Sequence, residues 1–310
     1  MKRSAMKDFI ELCKMTQPEL KEYVAEQLGQ FGYEPESADG YVYARERGCP
    51  ILLTAHLDTV HKEPVSDVVV SGTGAISSLQ GIGGDDRCGV FIILSLLAKS
   101  DYRPAILFCE DEEIGGVGSK KFCKRNELVD ELKRLKFFVE LDRMGNDDAV
   151  FYSDDNAAFH EFIQKITGYR LACGSFSDIS HLMPAAGVSG VNLSCGYYNA
   201  HTTTEYVIPM QMDVTEKAVE KLCAEAVKAS CESYAYTERR PWWQQQYCDY
   251  ADDLYLQVQY VRWSRTETGG WIQTEADASY TCESEADGLM QFFKEHPTAC
   301  WNDILDYQLI

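Results

Sequence analysis

The sequence predicts an α/β protein: a mixed, mostly parallel central sheet with helices on both faces, followed by a small C-terminal α+β module. Three observations predict it. Short apolar runs of strand length alternate with amphipathic segments of helical period between residues 41 and 236. Acidic and histidine clusters fall directly after several of these runs, where the loops of an α/β sheet gather and ligands bind. The composition then changes after Arg240, since all five tryptophans, Trp242, Trp243, Trp263, Trp271 and Trp301, lie in residues 241–310. The expected division is therefore a catalytic domain over 1–240 and a Trp-rich acidic module of unknown role over 241–310.

The first element is a helix from Gln17 to Phe31. Thr16, with Glu19 three residues later, is a capping box. Leu20, Val24, Leu28 and Phe31 follow at helical spacing, and Gly32 is the stop. Asp39-Gly40 reads as a turn before a strand over Tyr41 to Arg45, and ILLTAH, ending at His56, as a buried strand. Beyond it VFIILSLLAK reads as a helix, AILFCED and FFVELD as strands, AFHEFIQKI as a helix and GVSGVNLS as a strand. A long helix over Asp213 to Tyr236 closes the domain, with Asp213 and Glu216 at cap spacing and Val214, Ala218, Leu222 and Ala226 as its buried stripe. In the tail, Gly269-Gly270 and the alternation of Leu254, Leu256, Val258 and Tyr260 suggest a hairpin, and a helix over the same stretch is nearly as compatible.

Length and charge exclude whole classes of function. A chain of 310 residues buries a large core. Its net charge of -20, with 12 acids against 3 bases in residues 241–310 alone, repels nucleic-acid phosphates and anionic membranes. Asp8, Glu11 and Lys14 interrupt the N-terminal apolar run that a signal peptide would need, and no segment approaches the roughly 20 apolar residues of a membrane span. Twelve cysteines scattered through apolar segments, without C-x-x-C pairs, fit reduced thiols and a cytoplasmic location.

Five clusters carry chemistry. In His56-Leu57-Asp58, residues two apart in an extended segment share a side, so Asp58 can fix the His56 tautomer while the other ring nitrogen faces a metal. Alone, H-x-D is more often a loop histidine beside a solvated aspartate. Gly81-Ile82-Gly83-Gly84-Asp85-Asp86 enters a helix, where a carboxylate is stabilised by the dipole whether it is a ligand or a cap. Glu110 to Glu113 is a run of four acids, ordinarily a solvated loop, unless a cation offsets their repulsion and lets one ligate while its neighbour handles protons. Asp142 closes ELD, and His201 lies in GYYNAHTTTEYV. Together they supply two imidazoles and three carboxylates, a set suited to zinc, with cobalt or manganese as alternatives.

The pattern resembles the co-catalytic zinc exopeptidase clan that includes peptidase T, the glutamate carboxypeptidases and the bacterial leucyl and tetrahedral aminopeptidases. The resemblance runs from Thr54 to Pro209 and rests on AHLDTV, GGDD, DEEIG, ELD and a late histidine followed by E-x-V. It implies the zinc exopeptidase fold and two divalent metal ions. His56 and Asp142 would hold one ion, Glu113 and His201 the other, with Asp85 bridging. Glu112 becomes general base to a metal-bridging water, Asp58 orients His56, and the Asp85–Asp86 peptide is expected to be cis. Residues 59–84 and 143–200 are too short for the inserted and lid domains of larger relatives, so carboxypeptidase specificity is in question.

The reaction expected is hydrolysis of a terminal amide bond in a small peptide or aminoacyl amide. Alternatives are an N-acyl amino acid deacylase or carboxypeptidase on the same metals, or a binding module that kept the fold without catalysis. Asp178, Tyr197 and Tyr198 are candidate pocket residues. His61 and His181 read as hydrogen-bonding partners near the site, His160 as structural and His296 as a surface residue. Oligomeric state is not encoded in any of these signals.

Overall fold

In the computed structural model, which describes residues 3–238, 255–265, 271–281 and 304–309, the chain opens with two helices, α1 (Arg3–Cys13) and α2 (Gln17–Gln30). α2 starts where its cap predicts, with the Thr16 N–H donating to the Glu19 carboxylate at 2.9 Å. Leu20, Val24 and Leu28 are fully buried, whereas Phe31 is half-buried because it already caps the helix end. Gly32, at φ +85°, stops it. α1 has no cap signal in the sequence and was not expected.

The chain continues through β1 (Glu36–Ala38), β2 (Tyr41–Ala44), β3 (Cys49–His56), β4 (Val68–Val70), β5 (Ile76–Ser78), α3 (Gly84–Lys99) and β6 (Pro104–Cys109). Next come α4 (Val117–Cys123), α5 (Asn126–Leu132), β7 (Phe138–Arg143), β8 (Asp148–Val150), α6 (Ala157–Thr167), β9 (Arg170–Ala172) and α7 (Ile179–Ala186). β10 (Gly190–Ser194), β11 (Tyr197–Tyr198), β12 (Tyr206–Val207) and α8 (Pro209–Ala226) complete this part. The central sheet runs β1-β2-β6-β3-β7-β10-β8-β9. Its middle four strands, β6, β3, β7 and β10, are parallel, as are β8 and β9, while β1–β2, β2–β6 and β10–β8 are antiparallel. The mixed, mostly parallel α/β sheet is therefore the observed one.

Helices cover both faces because the central strands are apolar on both. Ile51, Leu53, Ala55, Ile106, Phe108 and Val139 join the core beneath α1, α2, α3, α6 and α8. Leu52, Leu107, Cys109 and Phe138, one residue out of phase, join a second core with α4, α5 and α7.

Helix α8 corrects the sequence reading. α8 begins at Pro209, four residues before the expected Asp213 cap, and ends at Ala226 rather than Tyr236. Proline's fixed φ suits the first helical turn and its missing N–H costs nothing there, so it outcompetes the downstream acidic cap. With that phase, Val214 is 52% exposed, and Met212, Val219 and Cys223 join Ala218, Leu222 and Ala226 in the buried stripe. A small antiparallel sheet, β11-β12-β5-β4, was not expected, since strands of two or three residues leave no periodicity to read.

The chain forms two compact units, Met1–Arg239 and Arg240–Ile310. In the second unit β13 (Tyr255–Arg265) pairs antiparallel with β14 (Trp271–Thr281), from Tyr255 opposite Thr281 to Arg265 opposite Trp271, and with β15 (Ile304–Leu309) on its other side. The expected Gly269-Gly270 turn, any helix of this module, His296 and Trp242, Trp243 and Trp301 lie outside the described residues. Among the described residues all nine cysteines are free, six of them buried, and no helix is long and apolar enough to cross a membrane.

Candidate metal centre

Strand register assembles the site. His56 ends β3 opposite Cys109 of β6, and Thr54 of β3 lies opposite Glu140 of β7, so His56, the loop after Cys109 and Asp142 leave the sheet along one edge. The 81–86 turn enters α3 beside them, and the β11–β12 loop carries His201, whose φ of +63° is a conformation that a residue with a β-carbon seldom adopts. The Asp85–Asp86 peptide is cis, as the resemblance implies.

The side chains then converge. His56 Nε2 lies 3.0 Å from Asp85 Oδ1 and 3.3 Å from Asp142 Oδ1. His201 Nε2 lies 3.1 Å from the other oxygen of Asp85, Oδ2, and 3.0 Å from Glu113 Oε2. Asp85 thus spans two imidazoles, each with a second carboxylate of its own. His56, Asp85 and Glu113 bring ligand atoms within 4.8 Å of one another, as do His56, Asp86 and Asp142. Asp86 is engaged otherwise, since its oxygens accept the backbone N–H groups of His56 (3.2 Å) and Gly89 (2.9 Å), which makes it part of the frame. Of the acidic run, Glu110 pairs with Lys21 and Asp111 accepts from Gln17, whereas Glu113 meets His201 and Glu112 feels the charges of Asp142 and His56.

A frame of buried groups holds these side chains. Asp58, 8% exposed, sits 3.1 Å from His56 Nδ1, as its spacing predicts, and also accepts the N–H groups of Glu112 and Glu113 at 3.0 Å each. One carboxylate therefore ties the His56 ring to the Glu112–Glu113 loop. Ser177 Oγ donates to Asp142 Oδ2 at 2.7 Å, and Asn192 Oδ1 accepts the Asp142 N–H at 2.9 Å. Arg87, fully inside, donates to the carbonyls of Leu57 and Met15. Of the candidate pocket residues, Tyr197 is buried and donates its hydroxyl to the Asp142 carbonyl (3.0 Å), Asp178 is buried at the head of α7, and Tyr198 is half-buried, stacked on Tyr206 and donating to Gln211. His61 is a hydrogen-bonding partner, of Glu205, while His160 packs on Phe151 and His181 on Phe176. Reading the sequence missed Ser177, Asn192, Arg87 and Glu205 as parts of the frame. Only Glu205 carried a signal, as the acid of the E-x-V segment.

The electrostatics call for positive charge. Burial, then the charge of Asp142, pushes the Glu112 carboxyl up to about 9, and burial with Asp85 nearby pushes Glu113 up to about 7. Asp142 is raised by burial and by Asp85. Burial would raise Asp85 too, yet the imidazoles of His201 and His56 hold it below the usual range. His201 is lifted to about 9, chiefly by its hydrogen bond with Asp85. Glu113 Oε1 is buried without a hydrogen-bond partner. Two imidazoles and three crowded carboxylates, one with an orphaned buried oxygen, are a donor set that fits divalent cations of zinc's kind.

Residues 43–183 match peptidase family M28. No curated protein matches the sequence. Among solved structures, aminopeptidase PepT of Bacillus cereus superposes with a TM-score of 0.60 at 16% identity, covering 72% of this chain and 98% of that one. A tripeptidase of Staphylococcus aureus gives 0.60 at 14% over 72% and 98%, and an aminopeptidase of the archaeon Desulfurococcus kamchatkensis 0.55 at 13% over 72% and 97%. The chain has the fold of these solved peptidases, and its central segment matches a peptidase family, as the resemblance to the zinc exopeptidase clan implies.

Proposed function

We propose that this protein is a dinuclear-zinc exopeptidase that removes a terminal residue from small peptides. One observation carries the reading: each oxygen of Asp85 meets a different imidazole, each imidazole has its own second carboxylate, and Glu112, which feels the charges of Asp142, His56 and Glu113, belongs to neither set. His56 and Asp142 would hold one ion, Glu113 and His201 the other, and Asp85 both. When bound, the ions supply Lewis-acid polarisation of the scissile carbonyl and lower the pKa of water. Glu112 takes the proton of the attacking water, its carboxylate form favoured once cations offset the neighbouring charges, and passes it to the leaving amine. Asp58 holds the Glu112 backbone to the His56 ring, so base and ligand keep one geometry.

An aminopeptidase reading is favoured over a carboxypeptidase or deacylase by the minimal core. Residues between Asp142 and His201 build β8 to β11, α6 and α7, and those between Asp58 and Asp85 build β4 and β5, leaving no inserted domain to grip a substrate carboxylate. The catalytic domain is assigned to 1–240 and a separate module to 241–310; truncation after Arg240 that keeps zinc and turnover of small amides is the expected outcome. The nine cysteines among the described residues, all free, support a reducing, cytoplasmic setting, and the charge of -20 argues against nucleic-acid partners. The decisive experiment is zinc content of the purified protein with turnover of paired aminoacyl and N-acetylaminoacyl amides. Two zinc ions and cleavage of the free-amine member alone are expected. Cleavage of the N-acetyl member alone would make it a deacylase, and absence of zinc would refute the reading.

A further inference from the structure

Glu205 is completely buried four residues after His201, and among the described residues its ion-pair partner is His61 rather than a lysine or arginine. Both oxygens of its carboxylate are hydrogen-bonded. Oε1 accepts the Asp85 N–H at 3.0 Å, and Oε2 accepts the Gly83 N–H at 2.8 Å and lies 2.9 Å from His61 Nε2. All three donors surround the turn that delivers the proposed bridging carboxylate. The turn is built against them. Gly81 and Gly83 adopt φ of +88° and +65°. A β-carbon on Gly81 would come within 2.1 Å of the His61 ring, and one on Gly84 within 2.7 Å of Tyr197 and Val207 and 3.3 Å of Glu205 Oε1. The glycines of GIGGDD are therefore where the backbone must pass under His61, Tyr197 and Glu205.

We infer that Glu205 and His61 are a positioning pair for the dinuclear centre: the Glu205 carboxylate clamps the Gly83–Asp85 backbone so that Asp85 reaches both metals, and His61 holds the carboxylate in place. The inference rests on the two-metal reading above. A carboxylate suits this task because it only accepts, and it meets only donors. Glutamine fills the same volume but must turn its NH2 group toward either the Asp85 N–H or the Gly83 N–H, so the turn shifts. Groups that orient ligands from behind typically carry 10–100-fold in metal affinity.

The test is competition of the full-length protein with a chromophoric zinc chelator, together with the visible spectrum of the cobalt-substituted protein. Glu205→Gln is expected to weaken both metals about 10–100-fold and to shift the cobalt bands. His61→Ala should weaken them less, and His61→Gln, which keeps a donor, should restore part of that loss. Wild-type zinc affinity and an unchanged cobalt spectrum in Glu205→Gln overturn the inference. If Glu205→Gln does not fold, the His61 variants decide, and wild-type affinity in His61→Ala overturns it. A wild-type protein that binds fewer than two zinc ions overturns the two-metal reading itself, whereas two tight ions in both wild type and Glu205→Gln overturn only the role of Glu205.

Discussion

Replacing Asp58 by asparagine isolates the contact that joins metal ligand to general base. The shape is kept and one acceptor becomes a donor. Oδ1 serves His56 Nδ1 and the Glu112 N–H, while Oδ2 serves the Glu113 N–H. The least costly rotamer keeps the amide oxygen at Oδ1 and turns the NH2 group on the Glu113 N–H, leaving one inward-facing donor unpaired at about 1–3 kcal/mol. The two remaining bonds fall from charge-assisted to neutral, at about 1 kcal/mol each. The sum is about 3–5 kcal/mol, reduced where the half-buried Glu112–Glu113 loop relaxes toward solvent. In a folded unit of this size each kcal/mol moves Tm by about 2–4 °C, so a fall of about 5–15 °C is expected by thermal melting. Because the relaxing loop carries the base, kcat for an aminoacyl p-nitroanilide should fall about 100-fold with KM little changed. An Asp58→Asn protein that melts with wild type and keeps kcat within twofold would refute the coupling.

Three further outcomes are expected. Glu112→Gln should lower turnover about 100- to 10,000-fold, the range for loss of a general base, while metal content by atomic absorption stays at the wild-type level; joint loss of both metals would instead make Glu112 a ligand. Asp85→Ala should empty both metal sites in a chelator titration and His201→Ala chiefly one, and if Asp86→Ala were the variant that emptied both, the bridge would be Asp86. Metal-free protein should lose stability as pH rises: Glu112 and Glu113, lifted from 4.5 to about 9 and about 7, hold protons in the folded state that the unfolded state has released. The folded form is therefore penalised progressively between about pH 4.5 and 9, and the Tm gained on adding zinc should be larger at pH 9 than at pH 5, whereas a Tm of the metal-free protein that rises over that window would refute the assignment.

What was legible in the sequence follows from how each feature is encoded. Buried parallel strands announce themselves as apolar runs, and the α/β arrangement puts their ends together, so the clusters that contain His56, Glu112, Glu113 and Asp142 were readable from type and place, whereas the choice of Glu112 and Glu113 within the acidic run came from the resemblance. Asp58 was readable because residues two apart on a strand share a side, and its carboxylate lies 3.1 Å from His56 Nδ1. Its grip on the Glu112 and Glu113 N–H groups was not, because that contact joins residues brought together only by the β3–β6 pairing. The same limit explains α8. Pro209 and Asp213 are both valid start signals, and only packing, which buries Met212 and exposes Val214, chooses between them. Glu205 is the sharpest case. The resemblance marks it as the acid of E-x-V, but no local rule gives it a role or distinguishes its burial from that of Glu63 or Glu232, which are exposed. What distinguishes it is three donors from residues 61, 83 and 85, more than a hundred positions earlier in the chain. First contacts with a metal are chosen by chemical type and leave a pattern in sequence, whereas the groups that aim those contacts are chosen by position in space, and space is what the fold supplies.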